Sequence, residues 1–494
     1  MRSDAVLPAA MVRRLLPEVD ERAWMFVLAI GAFAVLGLKE MPLSAPLVLG
    51  LFAAGVVGLI AAGWLGPEAP LYALIAYLPF SGLLAGGASI PFLNLTNLLI
   101  LLIVVSHIWR QRRNELQVLT SAPMNAVIAL FAALAVLSWM RAGWMYGGWY
   151  ASTHAVALLR WLRPMAFYFV ALWAVRDARA LKTVLALIAV AVTVVALMAL
   201  WEYLDRAGST IERSRVQGIA GEANRMGAFF VTYMFLFLGY FFVTPLRRYG
   251  WLMLVPFLLC VRGIMVTFSR GAHVAFAAGV LVACWMRSKW LFVVAAAAAA
   301  FIITHPALLP GGFRTRIEQT IRPGQRLDLD AGTSQELSRQ LEPSVGRRVE
   351  AWNGGLAMVR AHPWVGVGFG GFRRFIPHYT QGRVSSMAAH NTYLWLASEM
   401  GIPTLLVFLL FLDLLAYHTV WLYRHSQDVW LRALGLGVLA GAAALSVANG
   451  FSECLDSSEE VVGYFWILCA LVMRGVLLEK QQAGARGVRQ GAGE

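Results

Sequence analysis

Apolar runs recur along the chain from one end to the other, and they decide the fold class before any motif is considered. A membrane-spanning helix needs about 20 mostly apolar residues, and about fourteen stretches approach that length. They are Trp24–Leu38, Pro46–Trp64, Leu71–Leu84, Ile90–Trp109, Met124–Met140, Ala155–Val175, Thr183–Tyr203, Gly227–Val243, Gly250–Phe268, Ala272–Met286, Trp290–Ile303, Trp395–Tyr423, Leu431–Ala448 and Val461–Leu478. The first and third are short and Pro79 interrupts the third, so either could tilt, re-enter or lie at the interface. The composition agrees: 59% hydrophobic residues and 14% charged ones, where soluble domains carry about 45–50% apolar residues. We expect an all-α polytopic membrane protein of about 12–14 transmembrane helices. Arg13 and Arg14 precede the first run, but Glu18, Asp20 and Glu21 intervene and no small-residue cleavage site follows, so that run is expected to remain as a helix.

One long stretch breaks the pattern. Gly311–Leu394 holds eleven arginines, six acidic residues and no lysine. Cationic residues favour cytoplasmic loops. On alternate loops fall Arg110, Arg112 and Arg113; Arg176, Arg179 and Lys182; Arg247 and Arg248; Arg287 and Lys289; Arg424; and Lys480, Arg486 and Arg489. This threading puts both termini in the cytoplasm and the polar stretch outside, where long loops escape the charge rule. The expected organisation is a cytoplasmic segment 1–23, a bundle 24–304, a large periplasmic loop domain 305–391, returning helices 392–478 and a cytoplasmic tail 479–494. Within the loop domain Val345, Val349, Trp352, Leu356 and Val359 recur at helical spacing, predicting an amphipathic helix on the bundle that His362-Pro363 stops. Gly366, Gly368, Gly370 and Gly371 predict a hinge or a close-packed turn, with no strand before them and no acidic partner after them to suggest dinucleotide binding.

The net charge of +14 would suggest nucleic acid in a soluble protein, but most of these charges sit in short loops between spans, so nucleic acid is not expected as a partner. Only Lys39, Lys182, Lys289 and Lys480 are lysines among 41 basic residues. Arginine's planar fork pairs bidentately with phosphate, although a GC-rich genome explains the bias equally well. Cys260, Cys284 and Cys469 lie in apolar runs and Cys454 lies alone in a short loop, which gives neither a disulfide framework nor a metal site. The sequence has no nucleotide-binding loop and no acidic cluster for a divalent ion. A transferase built from it needs a donor already activated by a good leaving group, and no cofactor is expected.

Several outer-side residues carry the candidate chemistry. His390 precedes the helix that returns to the membrane, with Asn391 or Thr392 as its N-cap. An imidazole held there suits general-base work on a hydroxyl; the alternative is a polar residue satisfying a helix end. Arg270 sits in the tight turn Thr267-Phe268-Ser269-Arg270-Gly271-Ala272 between two spans, and an ionisable residue so close to the membrane is by default a functional candidate. Arg160 and Arg163, inside an apolar run, are either functional or structurally paired. Arg215 shares its loop with Arg206, Arg213 and Arg225, and Arg348 falls at the rim of the amphipathic stripe.

Taken together these motifs resemble the O-antigen ligase and O-antigen polymerase superfamily of bacterial envelope glycosyltransferases. The matching stretches are Arg215-Val-Gln-Gly218 with Asn224, Thr267-Phe-Ser-Arg270-Gly-Ala, Arg348 with Trp352, His362-Pro-Trp-Val-Gly366-Val-Gly368, and His390-Asn-Thr-Tyr-Leu394 with Glu399-Met-Gly401. They span roughly residues 180–475. The resemblance implies a GT-C-type bundle and an inverting, metal-independent transfer on the periplasmic face of the bacterial inner membrane. The implied donor is a glycan on undecaprenyl diphosphate. The implied acceptor is a sugar hydroxyl, on lipid A core or on a growing lipid-linked chain, with membrane lipid as the other partner. Carried onto this chain, Arg215 and Arg270 hold the diphosphate and His390 deprotonates or orients the acceptor hydroxyl. Arg348 joins them at the donor or acceptor glycan, and Arg163 and Asn391 complete the candidate substrate contacts. The N-terminal third matches no such motif. Two alternatives stay open: a protein O-oligosaccharyltransferase of the same superfamily, and a polysaccharide transporter or flippase, which is expected to show repeats and broken midplane helices.

Overall fold

The computed structural model describes residues 19–20, 23–38, 66–84, 94–112, 120–206, 215–244, 249–305, 307, 314–315, 318, 320, 334–456 and 459–491. The expected span Pro46–Trp64, as well as Arg213 and most of 305–333, lies outside them. Among the described residues the fold is helical and has no β-strand. Its helices are α1 (Ala23–Leu38), α2 (Glu68–Tyr77), α3 (Ser81–Leu84), α4 (Leu95–Arg112), α5 (Asn125–Tyr146), α6 (Gly148–Ala174), α7 (Ala178–Asp205), α8 (Ala223–Tyr233), α9 (Phe235–Val243), α10 (Leu254–Thr267), α11 (Arg270–Arg287) and α12 (Lys289–Thr304), followed by α13 (Ser334–Gln340), α14 (Pro343–Ala361), α15 (Phe372–Tyr379), α16 (Thr392–Met400), α17 (Ile402–His425), α18 (Val429–Asn449) and α19 (Glu459–Gly491). Eight of the described helical segments are long and apolar enough to cross a membrane, and two shorter apolar helices accompany them. This is the expected all-α polytopic membrane protein. A short 3-10 turn, Leu78–Phe80, stands at Pro79 and separates α2 from α3, as the missing proline N–H requires.

Two helices form the centre. In α18 the small residues Gly435, Gly437 and Gly441 meet backbone of α17, α9 and α8 respectively, so that a Cβ at any of them would strike main chain. In lipid, where apolar contact alone gives little drive for association, such close approach lets packing hold helices together. Helix α19 is the other: 89% of its most apolar window is buried, against α6 above all. Tyr233 of α8 donates its hydroxyl to Val461 O at 2.6 Å and accepts from Phe465 N at 3.0 Å, using backbone groups at the first turn of α19. Residues 450–456 therefore follow directly on the close-packed end of α18 and precede the deeply buried α19.

Three sequence expectations change in the folded chain. The expected single span Trp395–Tyr423 is two helices, α16 and α17, because Gly401 lies between them at φ +87°. The glycine-rich run is the close-packed turn rather than the hinge. Val367 N and Gly368 N donate to Ser398 O and Glu399 O at 2.8 and 2.9 Å, and the α5–α6 hairpin donates Arg141, Tyr146 and Tyr150 to the carbonyls of Gly366, Val367 and Phe369. The amphipathic helix forms as α14 and stops at His362, but it does not bury the expected stripe. Its buried face is Gly346, Glu350, Ala351, Gly354, Gly355 and Met358. The physical reason is close approach: Cβ atoms at Gly354 and Gly355 would meet Ile376, Thr380, Leu394 and Phe372. Val345, Val349 and Trp352 line a cavity instead, and Leu356 is 44% exposed.

Gly401→Ala tests the break between α16 and α17. An alanine there must hold φ +87° and ψ 164°, a region essentially reserved for glycine, at a cost of about 1–3 kcal/mol, and its Cβ would run into the backbone of Trp364 and Val365. We expect a clear loss of thermal tolerance in detergent, measured by size-exclusion profiles after heating, while Gly382→Ala, with open space around its Cβ, loses less.

Candidate functional site

The turn between α10 and α11 begins the site. Phe268 takes a left-handed conformation at φ +49°, which ends α10 and reverses the chain, and Ser269 caps α11. Arg270 is thus the first residue of α11, beside a helix N-terminus, where backbone N–H groups and the helix dipole favour an anion. Its guanidinium donates to Thr320 Oγ1 at 2.6 Å and to Glu342 Oε2 at 2.9 Å, tying the long polar stretch to α11. Arg215 is placed by the same turn. Its Nε donates to Thr267 O at 3.1 Å, its Nη2 to Asn224 Oδ1 at 3.1 Å, and the next residue, Val216, bonds Val266 O.

Arg348 comes from the other side, on α14, and reaches Phe451 O at 3.5 Å. The three arginines, which lie far apart in sequence, line one cavity of about 440 Å3 between α14, α11 and the 450–456 loop. Trp352, Val345 and Val349 supply its apolar wall, so the stripe read from the sequence belongs to the site and not to the domain contact. Three arginines, one of them paired with Glu342, and a helix N-terminus around an amphipathic cavity suit an anionic group with apolar parts.

His390 does not line this cavity but stands beside it. Trp352 Nε1 donates to Ala389 O at 2.8 Å, and His390 N donates to Glu453 Oε1 at 3.2 Å. The histidine is held at φ +48°, a conformation disfavoured for a residue with a Cβ and kept by its surroundings. Burial, and then Arg348, push its imidazole down to about 4, with Arg373 and Arg225 acting in the same direction and Glu222 against it. The ring is therefore neutral at neutral pH, and the same shift makes it a weaker base than an imidazole at the ordinary value near 6.5.

Asn391 serves as the N-cap of α16, its Oδ1 accepting from Leu394 N at 3.0 Å. Arg163 is not brought to the arginine cavity: it forms an ion pair with Glu459 of α19 at 2.7 Å, the structurally paired reading of that residue.

Sequence reasoning passed over the 450–456 loop except for Cys454. Glu453 and Asp456 lie there, with Glu459 and Glu460 just beyond. Four carboxylates within eight residues, in a chain of net charge +14, was the available signal. Desolvation pushes Glu453 up to about 7 and Asp456 up to about 6. Glu399, at the end of α16, is pushed up to about 8 by burial although it accepts from Gly370 N at 2.7 Å and Phe372 N at 2.8 Å.

Residues 255–409 match the family model described as O-antigen ligase. The match takes in Arg270, Arg348 and His390 and stops short of Arg215 and Glu453. It supports the O-antigen ligase and polymerase superfamily, whose members act on lipid-linked and acceptor glycans. A search of curated proteins returned no match.

The carboxylates make stability depend on pH. Glu453 and Asp456 carry folded-state values above their ordinary ones, so what they contribute is complete in acid and is lost as pH rises through about 6 to 7. We expect the detergent-solubilised protein to melt at lower temperature at pH 8 than at pH 5.5, and Asp456→Asn to reduce that difference. An unchanged difference in Asp456→Asn would assign the effect to other groups.

Proposed function

With an O-antigen ligase domain over residues 255–409 as the premise, we propose that the chain transfers a glycan from undecaprenyl diphosphate to a sugar hydroxyl. The reaction takes place at the periplasmic face of the inner membrane, in an O-antigen ligase or an O-antigen or exopolysaccharide polymerase. The observation that carries this reading is the convergence of Arg215, Arg270 and Arg348 on one cavity. The acceptor oxygen attacks the anomeric carbon, the bond from that carbon to the phosphate oxygen breaks, and undecaprenyl diphosphate leaves with its charge held by the arginines. The acceptor proton passes to the imidazole of His390. Attack opposite the leaving group inverts the anomeric configuration. Arginine donors lining the cavity supply the charge stabilisation that a divalent ion gives elsewhere.

In the resting arrangement Glu342 occupies Arg270. A diphosphate displaces or shares that contact, because two negative groups compete for one guanidinium. Donor binding would then loosen the Arg270–Glu342 link between bundle and outer domain and couple the lipid to the position of α14.

Arg270→Ala and His390→Ala, assayed with lipid-linked glycan in excess chelator, test the reading. Wild type is expected to transfer undiminished under chelation. His390→Ala should lose about 10²–10⁴-fold, the usual scale of general-base catalysis, and Arg270→Ala a comparable factor through the leaving group. Glycan transfer that persists in both variants would rule out this assignment, and transport of intact lipid-linked glycan without a new glycosidic bond would favour a flippase.

The pH profile gives a separate check. The low value of His390 means that initial rates should stay level as pH falls from 8 to 5 and decline only toward about 4. A decline centred near 6.5 would mean that the titrating base sits in a more exposed or less cationic environment.

A further inference from the structure

The backbone around His390 is held by more bonds than the start of a helix needs. Asn391 already caps α16, yet its neighbours bind α18 and the loop after it. Thr392 Oγ1 bonds Asn449 Oδ1 at 2.6 Å and approaches Ser452 O at 3.2 Å, and Tyr393 donates its hydroxyl to Ser446 O at 2.7 Å. Trp352 of α14 holds Ala389 O. One carboxyl group, that of Glu453, accepts the N–H groups of both Ala389 and His390.

Successive N–H groups that converge on one anion form a backbone nest, and here the chain supplies the anion itself. The nest falls on the strained position of this segment: His390 stands at φ +48°, which a residue with a Cβ adopts only where its surroundings enforce it. Glu453 is placed to do so. It is 7% exposed, on the loop that runs from the close-packed end of α18 into the buried α19. Along this loop Phe451, Ser452 and Cys454 line the arginine cavity, while Glu453 and Asp456 reach a second cavity of about 480 Å3. The charged groups that act on the imidazole are Arg348, Glu222, Arg373 and Arg225. Glu453 instead grips the backbone from which the ring projects.

We propose that Glu453 is a positioning residue for His390: its carboxyl group holds the Ala389–His390 backbone in the left-handed turn that sets where the imidazole stands beside the arginine cavity. The inference rests on the reading of His390 as the base and adds to it the residue that presents the ring. The role is geometric. A neutral carboxyl, or an amide of the same length, keeps a carbonyl oxygen that accepts N–H groups, whereas a carboxylate one methylene shorter withdraws from the nest. Action through charge would give the opposite order, with the shorter carboxylate retained and the amide lost. The cavity beside Glu453 leaves a shortened side chain free of any need to repack a filled core.

The test uses the full chain in nanodiscs, with undecaprenyl-diphosphate glycan as donor and either lipid A core oligosaccharide or a second lipid-linked glycan as acceptor. Glu453→Gln is expected to keep kcat within about tenfold of wild type and Glu453→Asp to lose about 10²-fold, the scale of a one-ångström misplacement of a reacting group. Both KM values and undecaprenyl diphosphate binding should hardly change, because the arginine cavity stays intact. A second readout needs no turnover. Diethyl pyrocarbonate acylates the neutral imidazole, and mass spectrometry of the His390 peptide gives the pH at which labelling is half lost. That midpoint is expected at about 4 in wild type and in Glu453→Gln, and higher, toward about 6.5, in Glu453→Asp, where the ring leaves its buried place beside Arg348. Equal rates in the two variants, the opposite order, or an unmoved midpoint would overturn the proposal. Loss of undecaprenyl diphosphate binding in Glu453→Asp would overturn it too, by assigning the residue to general support of the fold. His390→Ala is the separate control: transfer retained there defeats the base reading, while the labelling still reports whether Glu453 sets the ring.

Discussion

The buried carboxyl group of Glu399 is the fixed point that ties the glycine-rich turn to the end of α16. It is 3% exposed and accepts the N–H groups of Gly370 and Phe372, while its backbone carbonyl accepts from Gly368 and from Ser138 of α5. A buried acceptor left without those donors would cost about 1–3 kcal/mol, so the turn and the end of α16 hold each other. Positive φ at Gly366, Gly368 and Gly370 lets the chain wrap this closely, and Cβ atoms there would strike Glu399 backbone, Ala142 and His154. The consequence for the site is direct: α16 begins two residues after His390, and the same short helix that is pinned at Glu399 sets where the imidazole stands.

Arginine does different work at different depths in this molecule. Arg163 and Arg383 are paired with Glu459 and Glu350 and hold elements together. Arg215, Arg270 and Arg348 also have protein partners, yet they share a cavity, and the partners of Arg215 and Arg348 include backbone carbonyls. Carbonyl and hydroxyl partners orient a guanidinium without cancelling its charge, and with Glu342 paired to Arg270 the three arginines still leave the cavity lining net positive.

Much of the architecture was legible because lipid imposes it. Runs such as Thr183–Tyr203 and Leu431–Ala448 reappear as α7 and α18 with only a few residues added at each end. The turn carrying Arg270 and the stop at His362 were legible from local chemistry. What could not be read was which face of a helix meets which neighbour. Hydrophobic periodicity pointed Val345, Val349 and Trp352 toward the bundle, and they do face α11 and the 450–456 loop, but across a cavity; the close contacts of α14 are made by Gly346, Gly354 and Gly355, against Ser338, Ile376, Phe372 and Leu394. Arg163 and Arg270 looked alike as cations in apolar surroundings; only tertiary structure separates the one facing Glu459 from the one facing the cavity. The carboxylates of the 450–456 loop were visible as a cluster, yet their nearness to His390 spans 63 residues of chain, a distance that no local pattern records.

The alternation along Phe451–Asp456 bears on how such a protein can diversify. One backbone supplies the lining of two cavities, that of the three arginines and a second reached by Glu453 and Asp456, so a substitution that shifts this loop alters both at once. Trp149 at the hairpin tip and Ser386 line only the second cavity and lie outside this loop, so a substitution there leaves the shared backbone as it is.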